Sequence, residues 1–283
     1  MLSDLHLHLR PDDPGAPAEE YYSAANAERY REAAAARGID ELGVSEHVYR
    51  FAQALEIWRH PLWQSFAHDD LDAYCEAVRE QTDLRLGLEV DFIPGREHQI
   101  SQLLEGRAFD YVVGSVHFLG DGALDMDEFS VWDQIAARAP GEVWERYFQT
   151  IAASARTGLY DIIAHPDLVK YWGDPGRVPE GDLRRYYEPA VEAFADAGVA
   201  VELSTAGLRK PAGEMYPAPA FLELCVHAGV PVALSSDAHR PADVGAGYDQ
   251  ALELLDRLGV RELARFEGRV RTMSPIGAEQ HAG

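Results

Sequence analysis

The sequence predicts an α/β fold, a distorted seven-stranded (β/α)7 barrel. Short β-rich runs alternate with longer runs rich in Ala, Leu, Glu and Arg, and this alternation is typical of βαβ units around a mostly parallel sheet. Seven units fit a closed or slightly distorted barrel better than an open sheet, although an open doubly wound sheet stays an alternative. Most of the short runs also end in a residue type that binds metal ions.

Each predicted strand is followed by a loop or a helix. The strands span residues 2–8, 41–45, 85–90, 111–116, 161–164, 200–204 and 231–235. The helices span residues 24–37, 71–81, 141–157, 183–197, 218–228 and 248–258, and several end at a glycine suited to a left-handed C-cap. Because no linker or repeat divides the sequence, we expect one domain over residues 1–283, with a disordered tail from about residue 276.

The composition favours a cytoplasmic protein with a sizeable core. Hydrophobic residues make up 47% of the 283 residues, yet no apolar run approaches the roughly 20 residues that span a bilayer. The N-terminus lacks the basic start and apolar stretch of a signal peptide. Cys75 and Cys225 lie far apart within helix-like patterns, so neither a disulfide framework nor a cysteine-based zinc site is expected.

The charge argues against large polyanionic partners. The chain has 48 acidic and 25 basic residues, a formal net charge of −23, and such a surface repels nucleic acid and anionic lipid. A small phosphate substrate is still compatible with it, because bound divalent cations reverse the local field. We therefore expect a small-molecule substrate, no nucleic acid and no membrane; the oligomeric state is not predicted.

Metal-binding residue types stand at the ends of six of the seven predicted strands. The C-terminal strand ends of a parallel barrel converge on one face, where active sites are built. His6 and His8 alternate along the first strand, so both project the same way. A single histidine would be weak evidence for a metal site, but the whole set indicates one. In order, it comprises His6 and His8, Glu46 and His47, Glu89 and Asp91, His117, His165 and Asp167, and Asp237 and His239.

Taken together, these segments resemble the PHP (polymerase and histidinol phosphatase) family. The motifs that carry the resemblance are DLHLH at 4–8, SEH at 45–47, GLE at 87–89, GSVH at 114–117, AHPD at 164–167 and SDAH at 236–239. Each is weak alone, but the ordered combination is specific and covers residues 4 to about 245. The resemblance implies the family's TIM-barrel-like, distorted seven-stranded fold.

Two further segments, residues 109–118 and 202–211, resemble the stand-alone histidinol-phosphate phosphatases of that family. This implies a metal-dependent hydrolase that uses metal-activated water to convert L-histidinol phosphate into L-histidinol and phosphate, in histidine biosynthesis. Three alternatives stay open. They are a PHP phosphoesterase acting on a nucleotide or sugar phosphate, a metal-dependent amidohydrolase, and a non-catalytic PHP module.

The resemblance implies two or three divalent ions, which imidazole and carboxylate ligands suit if they are Zn, Mn or Fe. The first ion would be held by His6, His8, Glu89 and Asp237, the second by Glu89, His117 and His165, and the third by His47 and His239. Many members carry another histidine some six residues after the His-x-His pair, and this chain does not. Glu46, Asp12 and Asp13 are candidates to replace it.

Substrate contacts are predicted after the sixth strand and near the seventh. Arg209 is the predicted phosphate clamp because a guanidinium can donate two hydrogen bonds to phosphate, and Lys210 and Arg240 are weaker candidates. With Glu89 and Asp237, Arg209 completes the predicted catalytic set. The aromatic residues expected to face an imidazole-bearing substrate are Tyr49, Phe51, Trp58 and Trp63.

Overall fold

The computed structural model describes residues 1–11, 13, 15–134 and 139–277. Within these residues, seven parallel strands form one sheet in the order β1-β2-β3-β4-β7-β8-β9, and two short hairpins accompany it. The strands are β1 (Ser3–Asp4), β2 (Glu41–His47), β3 (Arg85–Asp91), β4 (Tyr111–Ser115), β5 (Phe118–Leu119), β6 (Gly122–Ala123), β7 (Ile162–Ile163), β8 (Ala200–Ser204), β9 (Val232–Ser235), β10 (Glu262–Glu267) and β11 (Val270–Pro275).

Helices follow most of these strands, and local capping explains where two of them begin. The described helices are α1 (Ala18–Tyr21), α2 (Ala24–Ala35), α3 (Pro61–Phe66), α4 (Leu71–Gln81), α5 (Glu97–Leu104), α6 (Val131–Gln134), α7 (Pro140–Arg156), α8 (Arg184–Ala197), α9 (Pro219–His227) and α10 (Tyr248–Arg257). Ser23 caps α2 and Asp70 caps α4 by accepting a backbone hydrogen bond from the first turn. None of the described helices is both long and apolar enough to cross a membrane.

The first and last strands of the sheet meet, so the barrel is nearly closed. Leu7 forms a parallel bridge with Ala238, and the His8 N–H donates to the Ala238 carbonyl at 2.8 Å. The Ser236 N–H donates to Asp4 Oδ1 at 3.0 Å on the same seam. The predicted fold class is therefore confirmed, and the C-terminal strand ends lie around one rim.

Side chains fill the barrel interior, and two glycines make room for its largest described ring, that of Tyr111. A Cβ on either Gly43 or Gly87 would overlap the ring of Tyr111, which is fully buried. Leu5 and Phe266 belong to the same buried cluster as Tyr111. Phe266 lies on β10, so the C-terminal hairpin supplies part of the interior packing.

The C-terminal hairpin covers the rim opposite the strand ends that carry the metal-binding types. Arg265 bonds to Glu41 at the start of β2, the Gly268 N–H donates to Asp110 Oδ1 at 3.1 Å, and Arg269 pairs with Asp161. Neither this hairpin nor β5–β6 was predicted. The two-residue strands β5 and β6 carry too little periodic signal, whereas the six-residue strands β10 and β11 lie outside the strand–helix alternation on which the prediction rested. The first strand is also shorter than predicted.

Two predictions about the chain as a whole are left open. Residues 278–283, which make up most of the predicted tail, lie outside the described residues, whereas residues 276 and 277 form a turn. The single-domain prediction for residues 1–283 stays a prediction.

We predict that Glu41→Gln will weaken the attachment of the hairpin to the barrel. Glu41 accepts from Arg85 Nε at 2.9 Å and from Arg265 Nη2 at 2.6 Å. Burial disfavours its charged form, but the two guanidinium groups outweigh burial and lower its pKa. Charge-assisted hydrogen bonds at a partly exposed site suggest a loss of about 1–2 kcal/mol in urea unfolding at pH 7.

The pH dependence provides the control for this prediction. A lowered pKa contributes stability above the carboxyl's unfolded pKa, and this contribution disappears as the pH falls through the folded value. The difference between the wild type and Glu41→Gln should therefore shrink below about pH 4.5, the ordinary value for glutamate. Glu253→Gln, on the exposed face of α10, should change stability little at any pH. A pH-independent difference would contradict the ion-pair explanation.

Candidate metal centre

The rim formed by the C-terminal strand ends gathers eight of the nine predicted metal ligands. Their ligand atoms form four overlapping groups, in each of which all atoms lie within 4.8 Å of one another. These groups, found among the described residues, are His6, His8 and Glu89; Glu89, His117 and His165; His6, His165 and Asp237; and His8, His47 and His239. The ninth predicted ligand, Glu46, belongs to none of them.

Glu89 lies at the centre of the cluster, and its two oxygens face different histidines. Oε1 lies 3.1 Å from His165 Nε2 and 3.6 Å from His117 Nε2. Oε2 contacts His47 Nδ1 and lies 3.5 Å from His6 Nε2 and 3.8 Å from His8 Nε2. One carboxylate therefore stands between two sets of imidazoles, which is the geometry that a bridging ligand requires.

The charge of Glu89 is maintained by its surroundings. Burial opposes ionisation, but the charges of His47, His6 and His117 outweigh burial and hold the pKa of Glu89 well below its ordinary value. A buried carboxylate is stable only when paired in this way or bound to a cation. The histidines would have to be neutral to bind a metal, so metal binding and protonation compete at this site.

Asp237 connects the group of His6, His8 and Glu89 with the two histidines His47 and His239. Its Oδ1 lies 3.3 Å from His8 Nε2 and 3.7 Å from His239 Nδ1. His239 in turn lies 3.3 Å from His47, measured between the two Nε2 atoms. Asp237 adopts a positive φ of 50°, a conformation that costs energy for a side chain larger than glycine. The strand end is therefore held in a strained conformation at a predicted ligand position.

Two carboxylates behind the cluster orient its histidines. Glu202 was not predicted as a site residue, whereas Asp91 was among the metal-binding residue types at the strand ends but was assigned to no ion. Glu202 Oε1 lies 2.7 Å from His6 Nδ1, and Asp91 Oδ1 lies 2.8 Å from His117 Nδ1. A carboxylate at Nδ1 directs the lone pair of Nε2 towards the cluster and raises its basicity. Glu202 was detectable in principle, because a lone acidic residue inside an apolar strand must be paired when buried.

Glu46 lies behind His8 instead of in the cluster. Its Oε1 accepts from the N–H of Leu9 at 2.7 Å and of Arg10 at 3.1 Å. Its Oε2 lies 3.2 Å from Arg50 Nε and 3.8 Å from His8 Nδ1. The structure thus corrects the predicted position of Glu46: the carboxylate fixes the loop after β1 and faces the far side of an imidazole.

The other two candidates for the missing histidine are not part of the described cluster. Asp13 Oδ1 accepts from the Gly15 N–H at 2.9 Å in an exposed turn. Asp12 lies outside the described residues. In the described chain, the group of His8, His47 and His239 therefore consists of three imidazoles.

A cavity of about 350 Å³ opens above the cluster. It is lined by ligands, aromatic and apolar side chains, two acids and one lysine: His47, Tyr49, Leu62, Phe66, His117, Phe118, Asp125, Met126, Glu128, His165, Leu168, Tyr171, Ala206, Lys210, Tyr216, Asp237 and His239. Of the four predicted aromatic residues, Tyr49 lines it, whereas Phe51 and Trp63 are fully buried in the core. A larger groove of about 950 Å³ includes no cluster residue.

Of the three predicted cationic contacts, the structure brings only Lys210 to the cavity wall. Arg209 Nη2 donates to the Ser236 carbonyl at 2.6 Å, directly before Asp237. Arg240 is 72% exposed and pairs with Asp243 at 2.7 Å. The guanidinium of Arg209 therefore supports the backbone beside a predicted ligand and is not directed into the cavity.

The donor set fits divalent metal ions. His6 Nε2 and His8 Nε2 are buried, and neither forms a hydrogen bond with any described residue. Both atoms face Glu89 Oε2, at 3.5 and 3.8 Å, an arrangement suitable for ligands that surround an ion. Imidazole and carboxylate without thiolate suit zinc, manganese or iron.

The family comparison agrees with this geometry. Residues 20–206 match the PHP domain family. A relative from Deinococcus radiodurans, named a probable histidinol-phosphatase, is 34% identical over 97% of this chain and 99% of its own length. A histidinol-phosphatase of Bacillus subtilis is 30% identical over 80% of this chain and 91% of its own. The family resemblance predicted from the motifs is thereby confirmed.

A solved structure is similar over nearly the whole chain. It is a histidinol phosphate phosphatase from Lactococcus lactis complexed with zinc, L-histidinol and phosphate. The TM-score is 0.70 at 19% identity, and the alignment covers 96% of this chain and 98% of the other. At this identity the likeness shows the shared fold alone.

We predict that Glu202→Gln will weaken metal binding without unfolding the barrel. The neutral amide removes the charge that polarises His6, and loss of such an outer partner lowers metal affinity by roughly 10- to 100-fold. The change in metal affinity is measured by competition with a fluorescent chelator, once with zinc and once with manganese. Glu80→Gln, exposed on α4, is the matched control and should bind as the wild type does. Equal affinities of the two variants would show that Glu202 does not orient His6.

Proposed function

The chain belongs to the PHP domain family, and on this premise we propose that it hydrolyses L-histidinol phosphate to L-histidinol and phosphate. The observation that carries the proposal is the cluster around Glu89 at the floor of a cavity sized for one small molecule. Relatives that align over nearly their whole length are named histidinol-phosphatases, which supports this substrate. The protein is accordingly a metal-dependent phosphoric monoester hydrolase.

We assign the predicted ligands to two or three divalent ions. The first would be held by His6, His8, Glu89 and Asp237, the second by Glu89, His117 and His165, and the third by His47 and His239, with His8 nearby. When bound, such ions supply positive charge for the phosphoryl oxygens and lower the pKa of water. Zinc, manganese and iron all suit this donor set.

The side chains of the protein hold this arrangement in place. Glu89 and Asp237 neutralise the charge of the ions, while Glu202 and Asp91 fix the tautomers of two histidines. Arg209 secures the strained backbone of Asp237 through the preceding carbonyl. These groups are positioned before the substrate arrives, so little reorganisation is needed during the reaction.

Lys210 is the cation that we assign to the phosphate. It lines the cavity, and its Nζ lies 6.0 Å from the centre of the Tyr171 ring. Arg209 and Arg240 were also predicted to contact phosphate, but both guanidinium groups already have partners outside the cavity. The ammonium group of Lys210 acts as a mobile point charge at the mouth of the site. The planar guanidinium group of a buried arginine would instead be held in one orientation.

We predict that the metal-loaded protein will turn over L-histidinol phosphate with a higher kcat/KM than nucleoside monophosphates, sugar phosphates or a phosphodiester. A cavity of about 350 Å³ accommodates a substrate of this size, and relatives aligned over nearly their whole length are named histidinol-phosphatases. Phosphate release from the whole panel, measured with each of the three metals, tests this. Faster turnover of a nucleotide or sugar phosphate would reject L-histidinol phosphate as the substrate, although the protein would still be a phosphatase.

We predict that Lys210→Met will lower kcat/KM by roughly 10- to 100-fold, because a charge-assisted contact to phosphate is lost. Metal content, measured by elemental analysis, should be unchanged, since Lys210 belongs to none of the ligand groups. Arg240→Met removes an exposed cation from the same side of the barrel and should stay within about twofold of the wild type. Equal losses in the two variants would contradict the assignment of Lys210.

A further inference from the structure

Asp125 is an acidic residue of the cavity wall with no role in the metal cluster. It lines the cavity together with His117 and His165 but belongs to none of the ligand groups. Its Oδ1 is buried and forms no hydrogen bond with the described residues. An ionised carboxylate in this condition is costly unless a cation or donor reaches it.

The backbone on either side fixes the position of Asp125. The Leu124 N–H donates to the His117 carbonyl at 2.9 Å, and the Leu124 carbonyl accepts from Trp172 Nε1 at 2.7 Å. The Ala123 N–H donates to the Phe129 carbonyl at 2.8 Å, which closes the segment on the other side. Because these bonds order the segment in advance, its carboxylate can bind a ligand at low entropic cost.

Asp125 shares its cavity with the groups to which we assign the phosphate ester. It lines the cavity together with His117, His165 and Lys210, and its charge interacts with the charges of all three. A carboxylate in that place repels a phosphate monoester, because like charges within a few ångströms disfavour one another. The repulsion is removed when the substrate itself carries a positive charge on the side facing Asp125.

We infer that Asp125 is the ammonium-binding residue of this site, and that it selects phosphate monoesters of 2-amino alcohols. In such a substrate, two carbons separate the ammonium from the ester oxygen, so the phosphate reaches the cluster while the ammonium meets the carboxylate. L-Histidinol phosphate has this arrangement, whereas simple sugar phosphates and nucleotides do not. The inference rests on the proposed phosphatase function and names what sets its specificity.

Two substrate pairs test the inference with the metal-loaded, full-length protein. The first pair is L-histidinol phosphate and its deamino analogue, 3-(imidazol-4-yl)propyl phosphate. The second is 2-aminoethyl phosphate and propyl phosphate, which match in size. In each pair, the wild type should prefer the aminated member by about 10- to 100-fold in kcat/KM, as a charge-assisted contact allows.

Asp125→Asn should remove this preference by slowing the aminated members, whereas the deamino members should not be slowed and should gain from the loss of the repulsion. Asp127→Asn is the matched control, because Asp127 is exposed in the same segment and does not line the cavity. Metal content and thermal midpoint should equal those of the wild type. An equal loss on both members of a pair, or no loss on either, would overturn the inference.

A wild-type measurement covers the case in which Asp125→Asn does not fold. L-Histidinol should inhibit at least tenfold more strongly than 3-(imidazol-4-yl)propanol, and equal inhibition would overturn the inference. The proposed function is tested separately by the substrate panel. If nucleotides exceed histidinol phosphate there, that function fails, while the aminoethyl and propyl pair still decides the role of Asp125.

Discussion

Glu89 carries a buried negative charge between two sets of imidazoles, and the rest of the site is arranged around it. Oε1 faces two histidines and Oε2 faces three, and with Glu89 itself these side chains come from five different strand ends. A buried charge of this kind is tolerable only if the surrounding groups are fixed to within fractions of an ångström. Barrel closure between Leu7 and Ala238, and the strained backbone at Asp237, serve this requirement.

The sequence predicted the parts of this site that depend on backbone direction. Alternation along a strand places His6 and His8 on the same side, and parallel strands bring distant ends to one rim, so the gathering of the ligands followed from local patterns. The directions of the side chains that follow the strands could not be predicted in the same way. Arg209 and Glu46 are of the right type and near the right place, yet each turns to a backbone group that only the folded chain provides.

Long-range partners explain the residues that sequence reasoning missed. Glu202 and His6 are 196 residues apart, and no periodicity within either segment links them. Asp125 lies in the segment between β6 and α6 and belongs to no motif, so its position above the cluster was visible only in the structure. The hairpin of β10 and β11 was missed for a related reason, since its function is to cover an end of the barrel that other segments create.

The hairpin also joins the site to parts of the chain that lie far apart in the sequence. His6 and Asp237 belong to one ligand group, and Leu5, the residue before His6, shares the interior cluster with Phe266 of the hairpin. A chain in which these segments have not met therefore carries isolated histidines, without the geometry that makes an ion bind tightly. Barrel closure and metal binding are thereby coupled, so that one cooperative event completes both.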